Sequence, residues 1–178
     1  MSIPVHLLGW MAGIVDLKGA VVRKKNQRRA TPQLVLYVET KQWDVVRRLS
    51  SLTGTQPEFQ EAKPVEEWMR RGCAEHCPDQ HIHVLNHDYP KSMPPIARWT
   101  ATGVAAAVII DNLAPFLTTD RGWHELAVEA TAQATLTGQG WGATRRALER
   151  LRALGWTLPP RFEAALTGPD EQEVVTNG

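Results

Sequence analysis

One stretch constrains the fold more than any other: PVHLLGWMAGIV, residues 4 to 15. It suits a short helix with Pro4 in its first turn, where a missing N–H costs little. Gly9 and Gly13 stand four apart and so share one face. Each lowers helix propensity by about 1 kcal/mol relative to alanine. Close approach of another helix is a natural compensation, and Ala12 adds a third small residue beside them. The plainer alternative is a tightly packed core helix. The apolar run stops at Asp16 and Lys18, too soon to span a membrane. It lacks a basic start and a cleavage site, so no signal peptide is expected and the location expected is cytoplasmic.

The length of 178 residues fits one domain with an insertion. A hydrophobic fraction of 43%, with seven Trp, supports a real core and argues against global disorder. Only two cysteines are present, which is not the pattern of a secreted disulfide scaffold. The net charge of +1 does not by itself point to nucleic acid, but the distribution of charge does. Between residues 18 and 29 stand Lys18, Arg23, Lys24, Lys25, Arg28 and Arg29, with no acid among them.

These cations fall on a hairpin. Residues 20–25 read as one strand and 33–40 as a better one. In the second, Leu34, Leu36 and Val38 alternate with Val35, Tyr37 and Glu39. A basic two-stranded ribbon can lie in a DNA major groove and offer Arg and Lys to phosphates and base edges. The competing account is a solvated hairpin whose lysines discourage edge pairing. A helix is expected over 41–53, with Val45, Leu49 and Leu52 on one face and Gly54 as its stop. Residues 55–95 are interrupted by Pro57, Pro64, Pro78, Pro90, Pro94 and Pro95. Within and after that stretch, 65–71 suits a short helix or turn, and 81–85 and 96–101 read as strands. Helices are expected over 103–117, 122–136 and 141–154. The second has Trp123, Leu126, Val128 and Ala130 as apolar positions, and the third has Trp141, Leu148, Leu151 and Leu154 inward. From about residue 168 the chain reads as a frayed, disordered tail. The resulting class is α+β, a mainly antiparallel sheet with helices on one side.

The segment Met11 to Gly19, M-A-G-I-V-D-L-K-G, resembles the LAGLIDADG motif of homing endonucleases. The order of elements agrees, and R-W-T-A-T-G with A-A-V-I-I-D-N-L-A-P-F-L is similar to the family's last strand and following helix. The resemblance implies an αββαββα saddle over residues 1–155 with an insertion at about 57–95, and extra C-terminal helices. Residues 156–178 would form a C-terminal extension. It also implies that a concave sheet face lies on double-stranded DNA, and that two motif helices pack together through Gly9, Ala12 and Gly13. With one motif in the chain, a homodimer or another protein partner would complete the saddle. The motif residues are Gly9, Ala12, Gly13, Asp16, Lys18 and Gly19.

The departure is chemical. In the family the last acid of the motif binds the divalent metal that drives phosphodiester hydrolysis, and Lys18 stands in that place. A lysine cannot ligate Mg²⁺, which takes oxygen donors. Asp16 matches the acid that ends the helix. The expectation is therefore DNA binding without cleavage by this route, with Lys18, Arg23, Lys24, Lys25, Arg28 and Arg29 on the duplex. Such a protein would be a regulator or accessory factor of phage or mobile-element type. Two alternatives stand beside it. One is a protein-interaction module that modulates a DNA-acting enzyme such as a recombinase or integrase. The other is an active metal-dependent endonuclease drawing on Asp16 or Glu39.

A second constellation is G-C-A-E-H-C-P-D-Q-H-I-H-V, residues 72–84. Cys73 and Cys77 are followed by His81 and His83, and an H-x-H pair on a strand points both imidazoles to one face. Two thiolates and two imidazoles make a tetrahedral zinc set. With all four positions filled by protein, that zinc would be structural, a staple within residues 72–87. His76 and His87 are alternative ligands. The plain alternative is a free-thiol loop with surface histidines. A catalytic Cys77–His pair lacks an orienting acid and an oxyanion hole.

Overall fold

The computed structural model describes residues 2–24, 33–61, 63–64, 92–93, 95–119, 122–134, 136 and 140–167. Helix α1 spans Val5–Lys18, one turn further than the apolar run predicts. It continues because the Asp16 carboxylate is engaged by Thr118 and Thr119 and does not compete for its own backbone. The Gly19 N–H donates to the Val15 carbonyl and closes the helix. A Cβ at Gly19 would lie 2.5 Å from that same carbonyl oxygen, so the turn from helix into strand has room for glycine alone.

Strand β1 (Gly19–Lys24) pairs antiparallel with β2 (Gln33–Thr40), from Gly19 opposite Val38 to Lys24 opposite Gln33. Helix α2, Trp43–Thr53, follows and ends at Gly54 in the left-handed conformation, φ 67°. Strand β3 is Glu58–Gln60, and a two-residue ladder joins β4 (Lys63–Pro64) to β5 (Ser92–Met93). Strand β6, Ile96–Thr102, pairs with both β2 and β3. The main sheet is thus β1-β2-β6-β3, antiparallel throughout. Helix α3 (Val104–Leu113), a 3₁₀ turn over Ala114–Phe116, α4 (Trp123–Gln133), α5 (Trp141–Ala153) and α6 (Pro160–Thr167) complete the described chain. This is the α+β class, and the four strands of the main sheet with α1, α2 and α3 follow the α-β-β-α-β-β-α order anticipated above, with the β4–β5 ladder between β3 and β6 and further helices after α3.

The two faces of the sheet differ because side chains alternate along each strand. Leu34, Leu36 and Val38 of β2, with Ala97, Trp99 and Ala101 of β6, join one core with Met11, Ala12 and Val15 of α1. Ile109, Ile110 and Leu113 of α3 and Leu148 and Leu151 of α5 belong to the same core. The Trp99 indole donates to Thr53 Oγ1 at 3.0 Å, so its polar edge is satisfied inside the core. On the other face Tyr37, Glu39, Arg98 and Thr100 are partly exposed.

Several sequence expectations shift. Ala12 points into the protomer's own core and is fully buried, so it is no part of the outward face. In α4 Ala127 is buried where Val128 is exposed, and Leu154 is exposed rather than inward. Trp156, Leu158 and Phe162 lie in the same core as the sheet, although residues after 155 read as an extension. The Trp156 indole donates to the Leu52 carbonyl at 2.8 Å, fastening that segment to the end of α2. No described helix is long and apolar enough to cross a membrane.

Candidate nucleic-acid interface

Three features meet at the C-terminal end of α1. The first is a groove of about 650 Å³ between α1, the end of β2, the start of α2 and the start of β6. Leu17 and Lys18 line it from α1, Glu39 and Lys41 from β2 and the turn after it, Val45 from α2 and Ile96 from β6. Lys18 is exposed, and its side chain makes no hydrogen bond or ion pair with another described residue.

The second feature is Asp16, two residues before Lys18 and only 8% exposed. Thr118 donates to its Oδ2 through the backbone N–H at 2.7 Å and the hydroxyl at 2.8 Å. The Thr119 hydroxyl donates to Oδ1 at 2.5 Å. Burial pushes the carboxyl up, but the hydrogen bonds from Thr119 and Thr118 outweigh it and hold the group below its ordinary value. Both oxygens are therefore committed to a structural anchor that ties α1 to the segment after the 3₁₀ turn.

The third feature is a charged pair on the open sheet face. The Arg98 guanidinium donates from Nε to Glu39 Oε1 at 2.7 Å, and from Nη2 to the same oxygen. Glu58 Oε2 stands 4.0 Å from Nη1. The guanidinium lies 5.9 Å from the centre of the Tyr37 ring. Glu39 and Arg98 face each other across the β2–β6 register.

These donors do not fit a divalent cation. Asp16 is saturated by N–H and O–H donors, Glu39 is neutralised by Arg98, and Lys18 and Lys41 line the same groove. Among the described residues no group of three His, Cys, Asp or Glu could hold a metal ion. Both acids named in the endonuclease alternative are thus already engaged by protein donors, Asp16 through both oxygens and Glu39 through Oε1.

The outward face of α1 carries Val5, Gly9, Gly13 and Leu17, spaced four apart and all exposed. A Cβ added at Gly9 or Gly13 would meet nothing within 4 Å. In the basic hairpin, Arg23 lies opposite Leu34 and Lys24 opposite Gln33 in the β1–β2 register. Lys25, Arg28 and Arg29 lie outside the described residues, as do Cys73, Cys77, His81, His83, His76 and His87.

Sequence reading missed the Glu39–Arg98 pair, because its members are 59 residues apart and only the strand register unites them. Their placement at outward positions of two strands was the available signal. It also missed Thr118 and Thr119, which nothing local connects to Asp16, and the exposed stack of Trp43 on Phe59, ring centroids 4.7 Å apart.

No family model matches the chain, and no curated protein matches it. Among solved structures it is similar to the homing endonuclease I-CvuI in complex with its target in the presence of Ca. That match has a TM-score of 0.46 and 12% identity, over 93% of this chain and 85% of that one. I-CvuI with the I-CreI target in the presence of Mg, its DNA not cleaved, gives a TM-score of 0.45 at 12% identity, over the same shares of the two chains. The archaeal intron-encoded homing endonuclease I-Vdi141I, complexed with DNA, gives 0.40 at 11% identity over 90% of this chain and 92% of that one.

Proposed function

We propose that this protein binds double-stranded DNA without cutting it, as a regulator or accessory factor of phage or mobile-element type. The carrying observation is Lys18, exposed and unpaired among the described residues, where the LAGLIDADG-like motif would put its metal-binding acid. A cation there draws a phosphate and repels a divalent ion. The saturated Asp16 and the neutralised Glu39 support the same reading. The open sheet face and the ribbon with Arg23, Lys24, Lys25, Arg28 and Arg29 would take the duplex. Two copies would meet through the outer stripe of α1, placing their Lys18 side chains near a twofold axis.

The test combines a gel-shift series with plasmid nicking. The expected result is retardation of duplex DNA in EDTA, weakening steeply with salt, and no nicks in Mg²⁺ or Mn²⁺. Nicking that is lost in Glu39→Ala would overturn the non-cleaving reading. A second reading draws on the exposed Trp43–Phe59 stack, with Arg47 5.8 Å from the Phe59 ring: a module that docks on a DNA-acting enzyme such as a recombinase. Absence of retardation at low salt would favour it. Cys73, Cys77, His81 and His83 are proposed as a structural zinc set. Native mass spectrometry should then find one zinc per chain, and a metal-free protein removes the staple.

A further inference from the structure

An acid on a face offered to a polyanion needs a reason, and Glu39 is such an acid. We propose that Glu39 and Arg98 together read one G·C base pair per half-site in the major groove. This rests on the reading that the open sheet face takes duplex DNA, and adds to it the base that the face selects.

The geometry of the pair carries the argument. Arg98 spends Nε and one proton of Nη2 on a single oxygen, Glu39 Oε1. The terminal edge of the guanidinium keeps the two protons of Nη1 and one of Nη2. Glu58 Oε2, 4.0 Å from Nη1, is too far to take a hydrogen bond from it. Glu39 Oε2 accepts from no described residue. The pair therefore presents two donors next to one acceptor. In the major groove the G·C edge presents guanine N7 and O6, two acceptors, and then the cytosine N4 amino donor. The A·T edge interposes the adenine amino donor between two acceptors and does not match. Side-chain exposures of 35% for Arg98 and 38% for Glu39 leave both within reach of a ligand. Glu39, Glu58 and the Tyr37 ring limit the rotamers open to the guanidinium, so little freedom is left to lose on binding.

The pairing also separates this arginine from those of the ribbon. A guanidinium already neutralised by a carboxylate gains little from a phosphate, whereas its free edge still hydrogen-bonds a base. Glu39 is here a positioning residue for Arg98 as well as an acceptor in its own right.

The experiment is site selection from a random duplex library by the full-length protein, followed by affinity and salt-slope measurements on the selected site. The wild type should fix one G·C pair per half-site, preferred over other pairs by roughly 5- to 150-fold. Arg98→Lys retains the charge and the ion pair but loses the fork, and Arg98→Ala loses both. Each should erase preference at that position while binding to random duplex changes by less than about 3-fold. Glu39→Ala should weaken the preference and raise both random-duplex affinity and salt slope, because the freed guanidinium turns to phosphate. A purely structural role for Glu39 would not move the slope upward. A motif unchanged in Arg98→Lys, with the same fixed G·C pair, overturns the proposal and leaves DNA binding intact. Failure of the wild type to bind any duplex at low salt overturns both readings together.

Discussion

The two faces of α1 are made of similar residues and meet different fates. Its inner face, Met11, Ala12 and Val15, is fully buried, and Asp16 nearly so. Its outer face leaves Val5 68% and Leu17 78% exposed, with Gly9 and Gly13 bare between them. A surface helix ordinarily confines its apolar residues to one stripe, and one that is apolar on both sides is built for burial on both. The inner face is occupied by the sheet and α3 within the protomer. The outer face, small at its centre and apolar at its ends, has the form that lets a second helix approach closely. One helix thus carries a buried surface and an open one a third of a turn or more apart, and the proposal that the open one pairs two copies can be tested without touching the buried one.

The inner face should give the largest effect. Asp16→Ala removes the acceptor for the Thr118 N–H and for the Thr118 and Thr119 hydroxyls. Asp16 is buried although Thr118 and Thr119 are exposed, so the cost is that of three lost charge-assisted hydrogen bonds, about 2–4 kcal/mol of folding stability, read from denaturant midpoints. A loss under about 1 kcal/mol would show that the anchor contributes little. The anchor also sets a pH dependence. Its native pKa is lowered, so its contribution is fully present above the unfolded value of about 4 and disappears as pH falls through the native value. Wild type and Asp16→Ala should therefore converge in stability as the pH is lowered through that acid window. A constant difference across it would mean that the hydrogen bonds do not depend on the charge.

The inner face was partly legible and the outer face more so, for physical reasons. Strand β2 could be bounded at Gln33–Thr40 because alternation of period two is a local pattern. Gly9 and Gly13 could be placed on one face from spacing alone, whereas Ala12, one residue away, turns 100° around the helix into the core. What Asp16 does was not legible, since its partners stand more than a hundred residues later and nothing in T-T-D marks them as donors. Glu39 and Arg98 remained two unrelated surface charges until the register of β2 and β6 aligned them. Trp156 and Phe162 fell in what read as a C-terminal extension because short apolar runs after a helix lack periodicity, although both are buried.

The outer face should respond in the opposite sense on folding. Gly9→Ala meets open space, and alanine's better helix propensity should raise protomer stability by up to about 1 kcal/mol. Gly13→Arg is also free of clash within the protomer. Across a twofold axis, however, it would set two guanidinium groups against each other, so the dimer should weaken by about 2 kcal/mol or more, roughly 30-fold in dissociation constant. Sedimentation equilibrium reads that change, and calorimetric melting checks that the fold is kept. If Gly13→Arg leaves the oligomeric state untouched, the outer stripe is no homodimer surface. A wild-type monomer at all concentrations would turn attention to a different partner.

Lys18 sits where the two faces meet the groove, and its substitution should produce the smallest change with the most telling sign. If two copies pair through the outer stripe as proposed, their Lys18 side chains near the axis would repel each other, and in a DNA complex each would take a phosphate. Lys18→Ala should therefore tighten the free dimer slightly while weakening duplex binding by about 1 kcal/mol, roughly fivefold. Two lost phosphate contacts should lower the salt slope by about 2. Because Lys18 makes no side-chain bond to a described residue, the thermal midpoint should not move, which excludes an indirect loss through unfolding. If dimer and complex both weakened, Lys18 would be bonded to the partner copy, and the cation would belong to assembly rather than to the grip on DNA. If neither changed, the groove at the end of α1 would lie away from the phosphates, and Lys18 would have no part in the grip on DNA.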